Sequence, residues 1–283
     1  MRVKASTAAA EPDLALDPKD TVRILEGFIR SEVERTGRHR VVLGLSGGID
    51  SALAAYLAVR ALGRSGVVAV LLPHRDSSPA SVRDAETVVG ALGIVAERFD
   101  ISAMVDGFLA HAGEVDRLRL GNVMSRSRML VLYDRSAEHH ALVLGTSNKT
   151  ELLLGYGTLH GDLASALNPL GDLYKTQVRE LSKALGVPKA ILSKAPSADL
   201  WPKQTDERDL GFSYRDADRI LALLVDARMS APAIARRGYP RAVVHKIQEL
   251  VIRSQYKRRM PVIAKVSTRS VGWDFRYPRD WRS

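Results

Sequence analysis

The feature that most constrains the fold lies between Val41 and Gly63. Val41-Val42-Leu43-Gly44-Leu45 is a continuous apolar run, Ser46-Gly47-Gly48-Ile49-Asp50-Ser51 follows it, and the Ala- and Leu-rich stretch Ala52 to Leu62 then stops at Gly63. A buried strand, a tight glycine loop and a helix account for the three parts. The pattern repeats: Val67 to Leu72 reads as a buried strand, Ser81 to Leu92 as a helix closed by Gly93, and Ile94 to Phe99 as another strand. Such alternation predicts an α/β domain with a doubly wound parallel sheet, because crossover helices cover both faces of parallel strands. Upstream, Val22, Leu25, Ile29 and Val33 place a helix over Thr21 to Arg35; downstream, Gly121 to His139 reads as a long helix. Apolar residues from Ala141 predict a fourth parallel strand ending at Thr146, before a helix capped near Asn148. Ligands of open α/β sheets bind beyond the carboxyl ends of the strands, so the loops starting at Ser46, Pro73 and Gly145 are expected to share one crevice.

The remainder is helical with two irregular segments. Gly155 to Pro169 and Lys194 to Gly211 read as working loops, the second a candidate lid. Tyr174 to Leu185, Tyr214 to Ala227 and Arg241 to Tyr256 read as helices, and Trp273 and Trp281 in the tail as packing anchors. We expect one domain over residues 19–283 behind a flexible leader, residues 1–18.

Composition excludes several classes. There is no cysteine, so disulfides, thiolate metal sites and thiol nucleophiles are ruled out. None of the seven histidines has a metal-site spacing, and no apolar run approaches the roughly 20 residues of a membrane span. A cytoplasmic protein is expected. Lys and Arg outnumber Asp and Glu by 42 to 32, a formal charge of +10, which raises nucleic acid or a polyphosphate as partner. The basic clusters Arg236-Arg237 and Lys257-Arg258-Arg259 come without an RNA-binding aromatic motif, so nucleic acid is not the expected partner.

The loop carries the chemistry. Gly44, Gly47 and Gly48 let backbone approach a polyanion, Ser46 and Ser51 add hydroxyl donors, and the following helix points its positive end at phosphates. The Lys of a Walker A loop and the spacing of a dinucleotide fingerprint are both absent. Asp50 would repel a phosphate unless a divalent cation lay between them, and therefore predicts Mg²⁺. Gly44-x-Ser46-x-Gly48 also fits a nucleophile elbow, with Ser46 as nucleophile and His245 as the late histidine, but this leaves Gly47 and Asp50 unexplained.

The octapeptide Gly44 to Ser51 resembles the pyrophosphate loop of the ATP pyrophosphatases, which split ATP between its α and β phosphates. Further segments narrow the resemblance to the NAD synthetases of the ammonia-dependent type, over nearly all of the chain from about Asp20. They are Leu72-Pro73-His74-Arg75-Asp76-Ser77-Ser78-Pro79, Gly121-Asn122-Val123-Met124-Ser125-Arg126-Ser127-Arg128-Met129, Gly145-Thr146-Ser147-Asn148-Lys149-Thr150-Glu151, Asn168-Pro169-Leu170-Gly171-Asp172-Leu173-Tyr174-Lys175-Thr176, and Pro196-Ser197-Ala198-Asp199-Leu200-Trp201-Pro202 continuing through Gln204-Thr205-Asp206-Glu207.

The resemblance implies an adenine nucleotide α-hydrolase-like, Rossmann-like fold and a homodimer. It implies ATP on Gly44, Ser46, Gly47, Gly48, Asp50, Ser51, Thr146, Lys175 and Ser197; Mg²⁺ on Asp50 and Glu151; and deamido-NAD on Asn122, Arg126 and, more weakly, Lys257. Asp50 and Lys175 carry the catalytic expectation. Taken without the resemblance, Lys175 reads as a surface residue, whereas Glu151, one turn into its helix, can join Asp50 on Mg²⁺, an exposed helical Glu being the other reading. The implied reaction adenylates a carboxylate, releases pyrophosphate, and lets ammonia displace AMP. With no cysteine, ammonia would come from solution or from a separate glutaminase. Departures from the ammonia-dependent pattern fall on the acceptor side: the family's Lys and Asp after Gly157-Thr158 are Leu159 and Ala166, the Lys before Arg126 is Met124, and the His before Lys257 is Tyr256. Gly161-Asp162-Leu163-Ala164 is closer to the glutamine-using version of the loop. An amide synthetase of the same fold acting on a different small carboxylate is the alternative reading.

Overall fold

The computed structural model describes residues 12–197, 199, 201, 204–259 and 261–270. Residues 1–11 of the leader, and Trp273 and Trp281, lie outside the described residues. Residues 12–17 run without regular structure; Leu14 and Leu16 pack against apolar clusters, and the Leu14 carbonyl accepts from Gln177 Nε2 at 2.9 Å. Helix α1 (Pro18–Glu34) starts where the Asp17 carboxylate caps the Asp20 amide and Pro18 fills a position that needs no amide hydrogen.

Strand β1 (Val41–Gly44), α2 (Ile49–Leu62), β2 (Val67–Leu71), α3 (Pro79–Leu92) and β3 (Val95–Arg98) follow in alternation. Then come α4 (Ser102–Ala112), α5 (Arg117–Glu138) and β4 (Leu142–Val143), and the parallel sheet has the order β3-β2-β1-β4. The chain thus winds outward through β2 and β3, then crosses back to lay β4 on the other side of β1. That reversal opens a crevice between the ends of β1 and β4. Successive strand residues point to opposite faces, and both are covered. Leu43, Ala69 and Leu71 pack with α1, α2 and α3, whereas Val42, Val68, Val70 and Leu72 pack with Val105 of α4 and with Met124 and Val131 of α5.

The differences from the sequence expectation sit at the sheet's margins. β3 is an edge strand, with Val95 59% exposed, so it is shorter than Ile94 to Phe99 suggested. β4 ends at Val143 and not at Thr146, because the chain there bonds to a returning segment: Leu144 bridges Leu167 in parallel, and Ala166 N donates to the Val143 carbonyl at 2.9 Å. The segment Gly155 to Pro169 therefore returns to the sheet.

Beyond it lie α6 (Lys149–Leu154), α7 (Lys175–Ala184), α8 (Lys189–Ser193), α9 (Asp206–Leu210), α10 (Tyr214–Leu221), α11 (Ala231–Ala235) and α12 (Arg241–Arg253). α7 packs on α2 and its Val178 and Leu181 join the sheet's core, while α6, α10, α11 and α12 enclose a second apolar cluster around Ile220, Leu221, Ile234 and Ile247. α9 gives the second irregular segment a helical turn that the sequence reading did not contain. The helix expected over Tyr214 to Ala227 changes into a π-helical stretch at Ala222–Asp226.

Candidate active site

The loops after β1, β2 and β4 line one cavity of about 880 Å³, to which Gly44, Ser46, Pro73, Thr146, Glu151 and Lys175 all contribute. The crevice expected from strand order is therefore present.

The glycine loop is shaped by its own bonds. Gly47 has φ +75°, and a Cβ there would lie 2.1 Å from the Ser81 carbonyl, so only glycine fits against the start of α3. Ser46 and Ser51 hydroxyls lie 3.1 Å apart, Gly48 N donates to Ser46 Oγ at 3.2 Å, and Ser51 Oγ donates to the Gly48 carbonyl at 3.1 Å. Gly48 caps α2 without a side chain, which leaves the first-turn amides for a ligand. Ser46 is bonded to its own loop, and His245 is an exposed residue of α12, an element of the second apolar cluster. The nucleophile-elbow reading loses its histidine.

Around the loop, one buried cation meets two carboxylates. Lys175, 5% exposed, bonds Asp50 Oδ2 at 2.5 Å and Glu151 Oε1 at 3.0 Å. Asn148 Nδ2 donates to Asp50 Oδ1 at 2.9 Å, and the Asn148 side chain and Glu151 form the capping box that starts α6. Burial pushes Glu151 up to about 7, the Lys175 charge opposing the rise and the Asp50 charge adding to it. Burial also disfavours the Lys175 ammonium, but Asp50 and Glu151 outweigh it and hold its pKa above the ordinary lysine value. Lys175 is accordingly charged at neutral pH.

Three further groups hold this cluster, and the sequence reading gave none of them a role, although Asp206 stands in one of the segments that carry the resemblance. Asp206 accepts from Tyr214 Oη at 3.0 Å and from Tyr156 Oη at 3.1 Å, and burial raises its pKa. Asp218, fully buried, accepts from Thr150 Oγ1 at 2.6 Å and from Thr176 N at 2.8 Å, while Lys175 N donates to Thr150 Oγ1 at 2.9 Å. It thus ties the neighbour of Glu151 to the neighbour of Lys175. Asp226, in the π-helical stretch, ties Lys149 and Tyr174 in the same way, at 3.0 and 2.7 Å. One signal was available: Asp218 falls in line with Tyr214, Ala217 and Leu221 on the apolar face of α10, where a carboxylate needs partners.

Of the residues expected to hold the acceptor, Arg126 and Lys257 meet backbone and Asn122 meets a threonine hydroxyl. Arg126 Nε and Nη2 donate to the Leu159 carbonyl at 3.3 and 3.2 Å, Lys257 Nζ to the Gly155 and Gly157 carbonyls at 2.8 and 2.7 Å, and Thr158 Oγ1 to Asn122 Oδ1 at 2.9 Å. Asp162 Oδ1 takes bonds from Ser125 Oγ and Thr158 N. Leu159 lines the cavity; Ala166 is exposed beside β4 and does not. Ser197 is an exposed cavity residue whose Oγ accepts from Asp199 N. The second irregular segment is docked on α3 through Lys194 to Asp84 at 2.8 Å and Ser78 N to Asp199 at 3.2 Å.

Among the described residues no helix is long and apolar enough to cross a membrane, and no group of three or more His, Cys, Asp or Glu could hold a metal.

Comparison with known proteins finds likenesses over most of the chain. An ammonia-dependent NAD⁺ synthetase of Chlorobium phaeobacteroides is 53% identical over 270 residues, 95% of this chain and 98% of that one. The structure of an NH3-dependent NAD synthetase from Campylobacter jejuni superposes with a TM-score of 0.77 at 35% identity, covering 89% of this chain and all of that one. That of an NMN synthetase from Francisella tularensis superposes with a TM-score of 0.79 at 33% identity, covering 88% and 99%. The sequence model of the NAD synthase family matches residues 21–261, and with these likenesses the chain belongs to that family.

Proposed function

We propose that this chain is a ligase that amidates the nicotinate carboxylate of deamido-NAD with ammonia, consuming ATP and releasing AMP and pyrophosphate. The observation that carries the reading is the buried Lys175 ammonium, held by Asp50 and Glu151 beside an uncapped glycine-loop helix. A carboxylate is anionic and does not accept an amine, so its oxygen must first bond to the α-phosphorus of ATP as the bond to pyrophosphate breaks. Ammonia then bonds to the acyl carbon, AMP leaves with the bonding electrons, and the nitrogen loses a proton. The α2 amides, the Ser46 and Ser51 hydroxyls and Lys175 would stabilise charge growing on pyrophosphate. The segment docked by Lys194 and Asp199 would keep water from the acyl-adenylate.

Asp50 and Glu151 suit Mg²⁺. Each carboxylate has about four acceptor sites and uses two, on Asn148 and Lys175, so oxygen lone pairs remain on both. Two carboxylates without a protein-only cage match a cation that completes its shell with water and phosphate oxygens. Bound there, the ion would neutralise phosphate charge.

The reading carries a homodimer, a cytoplasmic location, and ammonia taken from solution or a separate glutaminase. For the dimer, Leu118, Leu130 and Tyr133 of α5 and Phe108 of α4 leave apolar surface exposed. Sedimentation of the purified protein decides it, a monomer at micromolar concentration removing that part.

The deciding assay supplies ATP, Mg²⁺, ammonium and deamido-NAD and resolves products by mass. Equimolar AMP, pyrophosphate and NAD are expected, with turnover lost in EDTA and in Asp50→Ala. No NAD from protein that still binds ATP overturns the acceptor assignment.

A further inference from the structure

The cavity wall carries one cation that the reaction outlined above leaves without a task. The other four lining cations among the described residues are engaged: Lys175 by Asp50 and Glu151, Lys194 by Asp84, and Arg126 and Lys257 by backbone carbonyls. Arg128 uses a single donor, its Nε bonding the Leu72 carbonyl at the end of β2 at 3.0 Å. Among the described residues no carboxylate pairs with it, although Asp199 and Asp162 lie near enough to favour its charge. A half-buried guanidinium without a counter-ion is costly, and burial lowers its pKa. Its fork matches phosphate oxygens, and with Nε tied to the wall the two terminal nitrogens are left for whatever fills the cavity.

Helix geometry says which ligand that is. Residues two apart on a helix lie about 200° apart, so Arg126 and Arg128 face different ways. Arg126 reaches the acceptor segment at Leu159, whereas Arg128 reaches the end of β2. One turn further along α5, Leu132 lies against Gly44, the start of the glycine loop. Arg128 therefore belongs to the nucleotide half of the cavity, whose pyrophosphate end is served by the loop and Lys175.

We propose that Arg128 is a nucleotide-binding residue that holds the α-phosphate, the phosphoryl group retained in the adenylate and in AMP. The assignment rests on the ATP-dependent reading above.

Calorimetric binding of AMP, adenosine and pyrophosphate to the full chain tests it, beside the wild-type NAD assay. In Arg128→Gln the Kd for AMP is expected to rise about 10- to 100-fold, the range of a lost charge-assisted hydrogen bond, with adenosine and pyrophosphate unchanged. Arg128→Lys, which keeps the charge but not the fork, is expected to fall between, and it serves if the Gln variant does not fold. Equal losses for AMP and adenosine would assign Arg128 to the wall alone, and no loss for AMP, or a loss confined to pyrophosphate, likewise overturns the proposal. Wild-type protein that binds AMP but makes no NAD would instead defeat the acceptor reading and leave Arg128 standing.

Discussion

Replacing Lys175 by Met isolates the electrostatics of the cluster, since the stem is kept and the ammonium is lost. In the native chain that cation faces two carboxylates whose side chains are only 17% and 15% exposed. Removing one partner of a buried pair costs about 3–5 kcal/mol when the remaining charge has no escape. Here a proton supplies one, because Glu151 already stands at about 7 against an ordinary 4.5, and Lys175 is what keeps it from rising further. The folded pKa is raised, so between the unfolded and folded values the native state keeps a proton that the unfolded chain has released. Stability falls with rising pH across that window by about 1.4 kcal/mol per unit. In the native protein the fall ends near 7; in the variant it continues above 7. The expected loss is about 2 kcal/mol at pH 6, from the stranded Asp50 partner, and about 1 kcal/mol more at pH 8. Urea denaturation followed by circular dichroism in EDTA, at both pH values, measures it. A loss that does not grow with pH, or one below about 0.5 kcal/mol at both, would refute the account of Lys175 as the counter-ion of Glu151.

Three other substitutions test the neighbouring parts. Gly47→Ala forces a Cβ to 2.1 Å from the Ser81 carbonyl at φ +75° and is expected to cost about 1–3 kcal/mol while weakening ATP binding. Thermal melting and an ATP titration check it, and normal values in both would mean that the loop is not pinned on α3. Asp218→Asn cannot accept from both Thr150 and Thr176 as the carboxylate does, so a loss of about 1–3 kcal/mol is expected by denaturation, with the KM for ATP raised. A change in neither removes its bridging role. For the departures at Leu159 and Ala166, only Leu159 lines the cavity, so Leu159→Lys is expected to alter the ratio of kcat/KM among carboxylate acceptors and Ala166→Asp to leave it unchanged. The reverse pattern would place the acceptor elsewhere.

What could be read in the sequence was what neighbours in the chain determine. β1 and β2 stood out because both faces are covered and every residue had to be apolar apart from the glycine, and Gly63 and Gly93, both at positive φ, mark where α2 and α3 stop. α4 was not read: Val105 is its one fully buried side chain among eleven residues, so it shows no apolar stripe. The π-helical stretch was equally silent, since nothing local tells Ala222–Asp226 to underwind; yet it helps bring Asp226, eight residues past Asp218, onto the same pair of segments. In a regular α-helix that spacing turns a side chain about 80° away. The glycine loop was legible for the same local reason as the strands. Lys175 lies 125 residues from the Asp50 it bonds, and no spacing rule links them; only the resemblance to NAD synthetases brought it forward.

The two halves of the cavity are built by different means, and that bears on the altered acceptor residues. On the side proposed to hold ATP the groups that meet are side chains of fixed identity: Asp50, Glu151 and Lys175 leave no substitution that keeps both charge and reach. On the side proposed to hold the acceptor, Arg126 and Lys257 bond carbonyls of residues 155, 157 and 159, and a carbonyl is present whatever side chain stands there. Asp162, bonded by Ser125 and the Thr158 amide, closes the same segment. The scaffold of that half therefore survives the replacement of a lysine by Leu159, which changes the charge on the cavity wall and not the path of the chain. On the proposed reading, the departure at Leu159 is therefore expected to bear on acceptor fit and not on adenylation, and Ala166, outside the cavity, on neither.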